Sequence, residues 1–136
     1  MPVRNLLALD VGEKRIGVAM ADTAVRIAVP FGWLENDDNI LTDIAELLIR
    51  HDIRVIVVGY PRNQSGEPTK QTEYVEKFVD KIAELDIDAE IVYQDESLTS
   101  VQAEARLGNN IKAKGEIDAE AASIILQDYL EEKYAN

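Results

Sequence analysis

The chain contains two short, continuously apolar runs, and the first of them ends in an aspartate. The run 6–9 (LLAL) leads directly into Asp10 and Gly12, and RVIVVG at 54–59 is a second run of this kind. Runs of this length are typical of buried strands. Burying a lone carboxylate is costly, so Asp10 either closes a turn or holds something that compensates for its charge.

The other elements follow from the spacing of apolar residues and from the positions of glycine and proline. Strands are predicted at 5–11, 14–21, 26–34, 54–59 and 89–94. Helices are predicted from about 37 to 48, 72 to 86, 99 to 107 and 117 to 134. The first two strands are joined by a short turn at Gly12, and Pro30 marks the third as an edge strand or a bulge. Three antiparallel strands followed by strand-helix alternation predict an α/β fold, a single mixed five-stranded sheet flanked by helices, in one domain over 1–136.

Composition limits the chemistry that the chain can perform. There is no cysteine, which excludes thiolate nucleophiles and zinc-thiolate sites, and the single histidine, His51, is interpreted as a solvated residue at a helix end. Acid-base or metal chemistry would therefore use carboxylates. No apolar stretch is long enough to cross a bilayer, and the first strand begins too early to leave room for a signal peptide, so we expect a cytoplasmic protein without a membrane partner. The net charge of -12 argues against broad nonspecific binding to a polyanion.

Three acids stand in unusual places. Asp10 ends the first strand, Glu96 follows the last strand, and Asp118 lies on the buried stripe of the last helix. If the first and fifth strands run parallel and near each other, the three acids converge at one edge of the sheet. Clustered carboxylates repel one another unless cations lie between them, and two divalent ions could hold the attacking and leaving oxygens of a phosphodiester displacement.

Each acid also has a structural interpretation. Asp10 could bond the amides of the turn that follows it, Asp118 could be a helix N-cap, and Glu96 could be an ordinary loop acid. The coincidence of all three favours a site.

Four motifs resemble the YqgF/RuvX proteins, bacterial RNase H-like nucleases once described as Holliday junction resolvases. LALDVGEKRIGVAMAD, IVVGYPRNQSGEPTKQT, DESLTSVQAEARL and IDAEAASIILQDYL stand in the family's order and spacing over nearly the whole chain. The resemblance implies a ribonuclease H-like fold, with Asp10, Glu96 and Asp118 as a catalytic triad that binds Mg²⁺ or Mn²⁺. It also implies phosphodiester hydrolysis at the 5′ end of the 16S ribosomal RNA precursor, and so ribosomal precursor particles as partners.

One residue departs from the family's pattern. Members commonly have arginine directly after the glutamate, whereas this chain has Ser97. Serine in place of arginine is expected to affect substrate affinity or cleavage efficiency more than the metal site.

Basic side chains near the motifs are candidates for contacting a nucleic acid, although each could equally be solvated. They are Lys14, Arg15, Arg62, Lys70, Lys112 and Lys114. These basic residues surround the proposed site, whereas the excess acidic residues lie on helices. The negative net charge is therefore compatible with RNA as a substrate.

Three other functions remain open at this point. Asp10-Val11-Gly12 followed by Asp22 also resembles the first phosphate motif of actin-like ATPases, although those proteins bind nucleotide between two domains. The chain could also be a noncatalytic nucleic-acid-binding or ribosome-assembly module, in which the three acids no longer have a catalytic role. Cleavage of branched DNA, as by a Holliday junction resolvase, would use the same site in a dimer, and the sequence leaves the oligomeric state undecided.

Overall fold

The structure is a computed structural model, and it describes residues 2–61, 67–96, 99–108 and 113–134. Within these ranges, no helix is both long enough and apolar enough to cross a membrane.

A single five-stranded sheet organises the fold. β1 (Asn5–Val11), β2 (Arg15–Asp22) and β3 (Val29–Glu35) form an antiparallel meander. β4 (Ile53–Pro61) runs parallel to β1, and β5 (Glu90–Glu96) runs parallel to β4, so the strand order is β3-β2-β1-β4-β5. The predicted mixed sheet is confirmed, and the strand that contains Pro30 is an edge strand.

Helices cover both faces of the sheet. They are α1 (Ile40–Arg50), α2 (Lys70–Ala83), α3 (Thr99–Leu107) and α4 (Lys114–Tyr134). Leu6 and Ala8 of β1 pack in one apolar cluster with α4, whereas Leu7 and Leu9 pack in another with α1 and α2. Burial on both faces explains why the run 6–9 lacks the polar alternation of a half-exposed strand.

The third strand begins later than predicted, at Val29 rather than at 26. The preceding residues form a turn, in which the Asp22 carboxylate accepts hydrogen bonds from the amides of Ala24 at 2.9 Å and Val25 at 2.7 Å. Arg26 follows in the left-handed region with φ of 63°. A local side-chain cap therefore replaces strand pairing over this segment.

Candidate metal-binding active site

The three acids predicted from the sequence come from three different elements. Asp10 is the last residue but one of β1, Glu96 is the last residue of β5, and Asp118 lies in the first turns of α4. β1 and β5 both run parallel to β4, so their carboxyl ends reach the same edge of the sheet. Because α4 begins at Lys114 rather than at 117, Asp118 is inside the helix and is not its N-cap.

Gly59 of β4 makes room between the two acidic strands. Val58 pairs with Leu9, so Gly59 follows beside Asp10. A Cβ atom at Gly59 would lie only 2.7 Å from Glu96 Oε2. The absence of a side chain on the intervening strand therefore allows Glu96 to approach Asp10.

The carboxyl groups of Asp10 and Glu96 are close enough to interact directly. Burial of Asp10, followed by the negative charges of Glu96 and Asp118, raises the pKa of Asp10 to about 8. The pair therefore holds a proton near neutral pH in the absence of another cation.

Asp118 is paired with Arg15, at the start of β2. The Arg15 Nε donates to Asp118 Oδ2 at 2.7 Å, and the two side chains are only 28% and 23% exposed. Gly17 fixes the distance between their elements, because a Cβ there would overlap the backbone carbonyl of Asp118. The first turns of α4 therefore lie directly against β2. A glycine inside a predicted strand is a signal for such a close approach.

The Gly12 turn is anchored by side chains that the sequence analysis did not single out. Asn36 Nδ2 donates to the Gly12 carbonyl and to the Tyr74 hydroxyl, both at 2.8 Å. Gln71 Nε2 donates to the Val11 carbonyl at 3.0 Å. The Gly12 amide itself donates to the Arg15 carbonyl at 3.0 Å, so the turn closes on its own backbone rather than through the Asp10 side chain.

The predicted basic residues occupy different positions around this edge. Lys14 is exposed beside Arg15, whereas Lys70 and Lys114 are exposed at the first residues of α2 and α4. Lys114 lies one helical turn before Asp118 and belongs to the helix, not to the preceding loop. Arg62, Ser97 and Lys112 lie outside the described residues.

The acids do not form a ready metal site. Among the side chains that the structure describes, no group of three or more aspartate, glutamate or histidine residues is arranged to hold a metal ion. Asp118 pairs with Arg15, and the raised pKa of Asp10 keeps its carboxyl group protonated near neutral pH. The donors are nevertheless all carboxylate oxygens, which suit a hard divalent cation.

Solved structures with the same fold define the class. Over 97% of this chain and 96% of the other, the fold is similar to Thermus thermophilus RuvC in complex with a Holliday junction substrate, with a TM-score of 0.60 and 15% identity. It is also similar to the fowlpox virus resolvase in complex with Holliday junction DNA, with a TM-score of 0.54, 14% identity and coverage of 97% and 99%. The protein therefore has the ribonuclease H-like fold of resolvases, as predicted.

Sequence comparison gives the family. The family model RuvX, described as Holliday junction resolvase, matches residues 4–132. A protein of Chloroflexus aggregans named "Putative pre-16S rRNA nuclease" is 41% identical over 137 residues, covering 96% of each chain. A protein of the same name from Sulfurihydrogenibium sp. is 37% identical over 130 residues, covering 93% of this chain and 90% of its own. This chain belongs to the RuvX family, and the predicted resemblance is confirmed. The prediction of a nuclease, which is a hydrolase that acts on nucleic acid, agrees with both comparisons.

Proposed function

We propose that this chain is a metal-dependent nuclease that hydrolyses phosphodiester bonds of RNA and processes the 5′ end of the 16S ribosomal RNA precursor. The convergence of Asp10, Glu96 and Asp118 at one edge of the sheet is the observation that carries the proposal. Its setting would be the cytoplasm, with ribosomal precursor particles as partners and 1–136 acting as one domain.

The electrostatics of the acids support a divalent cation as cofactor. The pKa of Asp10 is raised because burial and two neighbouring carboxylates disfavour its charge. At Asp118, the Arg15 guanidinium stands in the position of a counter-ion. Asp10, Glu96 and Asp118 would hold Mg²⁺ or Mn²⁺. When bound, such an ion supplies Lewis-acid polarisation of the phosphate and lowers the pKa of a coordinated water.

The residues of the site have distinct tasks in this proposal. Asp10 and Glu96 give up the proton that they share, so that both present anionic oxygens. Asp118, held in α4 against β2, supplies the third carboxylate.

Basic side chains around the acids would hold the phosphate backbone. Lys14, Lys70 and Lys114 are exposed at the first residues of elements that border the edge, and Arg62 and Lys112 are proposed from the sequence alone. These contacts would position the nucleic acid without reading its sequence.

A Holliday junction is the second candidate substrate. The description of the family model and the DNA complexes of the structural relatives favour it. Symmetric cleavage of a junction would require two active sites and thus a dimer. The curated relatives at about 40% identity carry the name of an RNA nuclease, and RNA is proposed here on that ground.

A cleavage assay on both substrates tests the proposal. Purified protein would be incubated with a precursor 16S RNA fragment or a four-way DNA junction, with Mg²⁺, Mn²⁺ or a chelator. We expect metal-dependent cleavage of the RNA and a loss of about 100-fold or more in Asp10→Asn, Glu96→Gln and Asp118→Asn. Asp38→Asn, which changes an exposed acid before α1, is the matched control.

The outcomes separate the alternatives. Undiminished cleavage by folded Asp10→Asn would contradict the proposed site. Cleavage of the junction but not of the RNA would favour the resolvase. Nucleic acid binding without any cleavage would favour a noncatalytic module, and micromolar ATP binding without cleavage would favour the ATPase.

A further inference from the structure

The ion pair between Arg15 and Asp118 differs from the exposed ion pairs of the molecule. Its 2.7 Å separation joins side chains that are 28% and 23% exposed, whereas the pair between Arg54 and Asp88 involves side chains that are 45% and 98% exposed. Exposed pairs contribute little because water and salt screen them. The contact between Arg15 and Asp118 is screened less, and a charge-assisted hydrogen bond strengthens it.

The backbones on both sides of this ion pair are fixed. Arg15 begins β2, next to the turn that Asn36 anchors through Gly12. Asp118 lies in α4, whose close approach to β2 requires Gly17. Movement of an exposed loop cannot break this ion pair. Its two side chains separate only if one of them rotates or if another cation binds the Asp118 carboxylate.

We propose that Arg15 is a resident counter-ion that competes with the divalent metal for Asp118 and thereby sets the metal affinity of the site. This inference rests on the metal site proposed above. In the metal-free protein the Arg15 guanidinium is paired with the Asp118 carboxylate. A bound ion would take the Asp118 oxygen, and the guanidinium would be released towards the same edge, where Lys14 already lies exposed.

Two features of the described residues indicate that Arg15 competes with the metal for Asp118 rather than orienting Asp118 as a metal ligand. No three acidic side chains in the described part of the chain are arranged to hold a metal, although all three donors converge on one edge. The Arg15 Nε also donates to an oxygen of Asp118, one of the three carboxylates that we propose as metal ligands. An arginine that only oriented a ligand would raise metal affinity, because outer partners of metal ligands strengthen binding. Competition and orientation therefore predict effects of opposite sign.

Direct metal binding distinguishes the two roles. The unbound Mn²⁺ would be quantified by electron paramagnetic resonance during titration of the wild type, Arg15→Gln and Asp10→Asn. We expect Arg15→Gln to bind Mn²⁺ about tenfold more tightly, which corresponds to about 1.4 kcal/mol. Asp10→Asn should lose the binding.

Arg106→Gln is the matched control. Arg106 pairs with Glu120, two residues beyond Asp118 on the same helix, at 3.1 Å. The substitution removes the same charge and an ion pair to α4 but leaves Asp118 untouched. Its Mn²⁺ affinity should stay within about twofold of the wild type, because Asp118 keeps its ion pair with Arg15.

Melting temperatures give a second readout. Without metal, Arg15→Gln should melt below the wild type because Asp118 has lost its counter-ion. Mn²⁺ should then raise its melting temperature by more than it raises that of the wild type, because tighter binding stabilises the folded state further. Circular dichroism checks the fold, and Arg15→Lys, which keeps the charge but not the planar fork, should bind with intermediate affinity.

Each outcome has a definite meaning. Equal or weaker Mn²⁺ binding by Arg15→Gln, with binding by the wild type that depends on Asp10, would overturn the competition while leaving the metal site in place. If Arg15→Gln does not fold, unchanged or weaker binding by Arg15→Lys would overturn it in the same way. The absence of Asp10-dependent binding in every variant would refute the proposed metal site, and the role of Arg15 with it.

Discussion

The carboxyl group of Asp10 interacts directly with that of Glu96 although β4 separates the strands that carry them. Gly59, on that intervening strand, leaves the space in which Glu96 lies. The pair binds a proton near neutral pH, because the pKa of Asp10 is raised to about 8. Proton binding and the folding equilibrium are thus linked at this site.

Without metal, the free energy of unfolding should fall as the pH rises from about 4 to about 8. The folded protein keeps the proton up to about pH 8, whereas the unfolded chain loses it near pH 4. The Asp10 carboxyl group alone lowers the free energy of unfolding by at most about 1.4 kcal/mol per pH unit. This decrease levels off above the pKa that Asp10 has in the folded protein. Asp10→Asn removes that titration, so the variant should exceed the wild type in stability at pH 8 and lose the advantage towards pH 4.

Urea unfolding in chelator across this pH range provides the measurement. Titrating groups that do not interact with Asp10 cancel when the two curves are subtracted. Asp38→Asn should keep the pH dependence of the wild type. Parallel curves for the wild type and Asp10→Asn would show that Asp10 holds no additional proton in the folded state.

Metal binding should release this proton. The apparent affinity for Mn²⁺ is expected to rise between pH 6 and 8, by up to about tenfold per pH unit, and to level off above the pKa of Asp10. Isothermal titration calorimetry at pH 7, in buffers that differ in ionisation enthalpy, should count about one proton released per bound ion. An affinity independent of pH, with no buffer dependence of the heat, would contradict this linkage.

Alanine at Gly59 and at Gly17 should have different effects. At Gly59 the new Cβ would meet Ile125 Cδ1 at 2.6 Å and Glu96 Oε2 at 2.7 Å, which are side-chain atoms that can move. Gly59→Ala should therefore fold, with a free energy of unfolding about 1–3 kcal/mol below that of the wild type. Its cleavage rate should fall by more than this loss of stability explains, because Glu96 is displaced. Gly17→Ala should be destabilised more, since its Cβ would overlap main-chain atoms of Asp118 and Ala119. Urea unfolding and cleavage assays check both, and equal stability losses or a fully active Gly59→Ala would count against this account.

Asn36 should matter more than its position before a helix suggests. Asn36→Ala removes the donor to Gly12 and Tyr74, so we expect a loss of about 1–2 kcal/mol and weaker catalysis as the turn loosens. Asn39→Ala is the control, because Asn39 is the N-cap of α1 but its side chain makes no capping hydrogen bond. The control should change the free energy of unfolding by less than about 0.5 kcal/mol. Similar losses for both variants would show that the turn does not depend on Asn36.

The sheet, and the placement of the three acids near one of its edges, could be predicted because the signals for both are local. The run 6–9 and the spacing of apolar residues in α2 report burial directly. The parallel direction of β1 and β5 was also expected, but not that β4 lies between them.

The ion pair of Arg15 could not be predicted in the same way. It joins residues 103 positions apart in the chain, and no periodicity connects them. The anchoring of the Gly12 turn by Asn36 and Gln71 likewise depends on tertiary placement. In the sequence, Asn36 is indistinguishable from an ordinary residue that opens a helix.

The position of α4 late in the chain has a consequence for synthesis. This helix supplies Asp118 and also covers the face of the sheet that contains Leu6 and Ala8. A nascent chain therefore completes the proposed metal site only in the step that closes this part of its core. Until α4 has emerged from the ribosome and docked, the growing polypeptide lacks one of the three acids that we propose as metal ligands, so we expect it to have no nuclease activity at that stage.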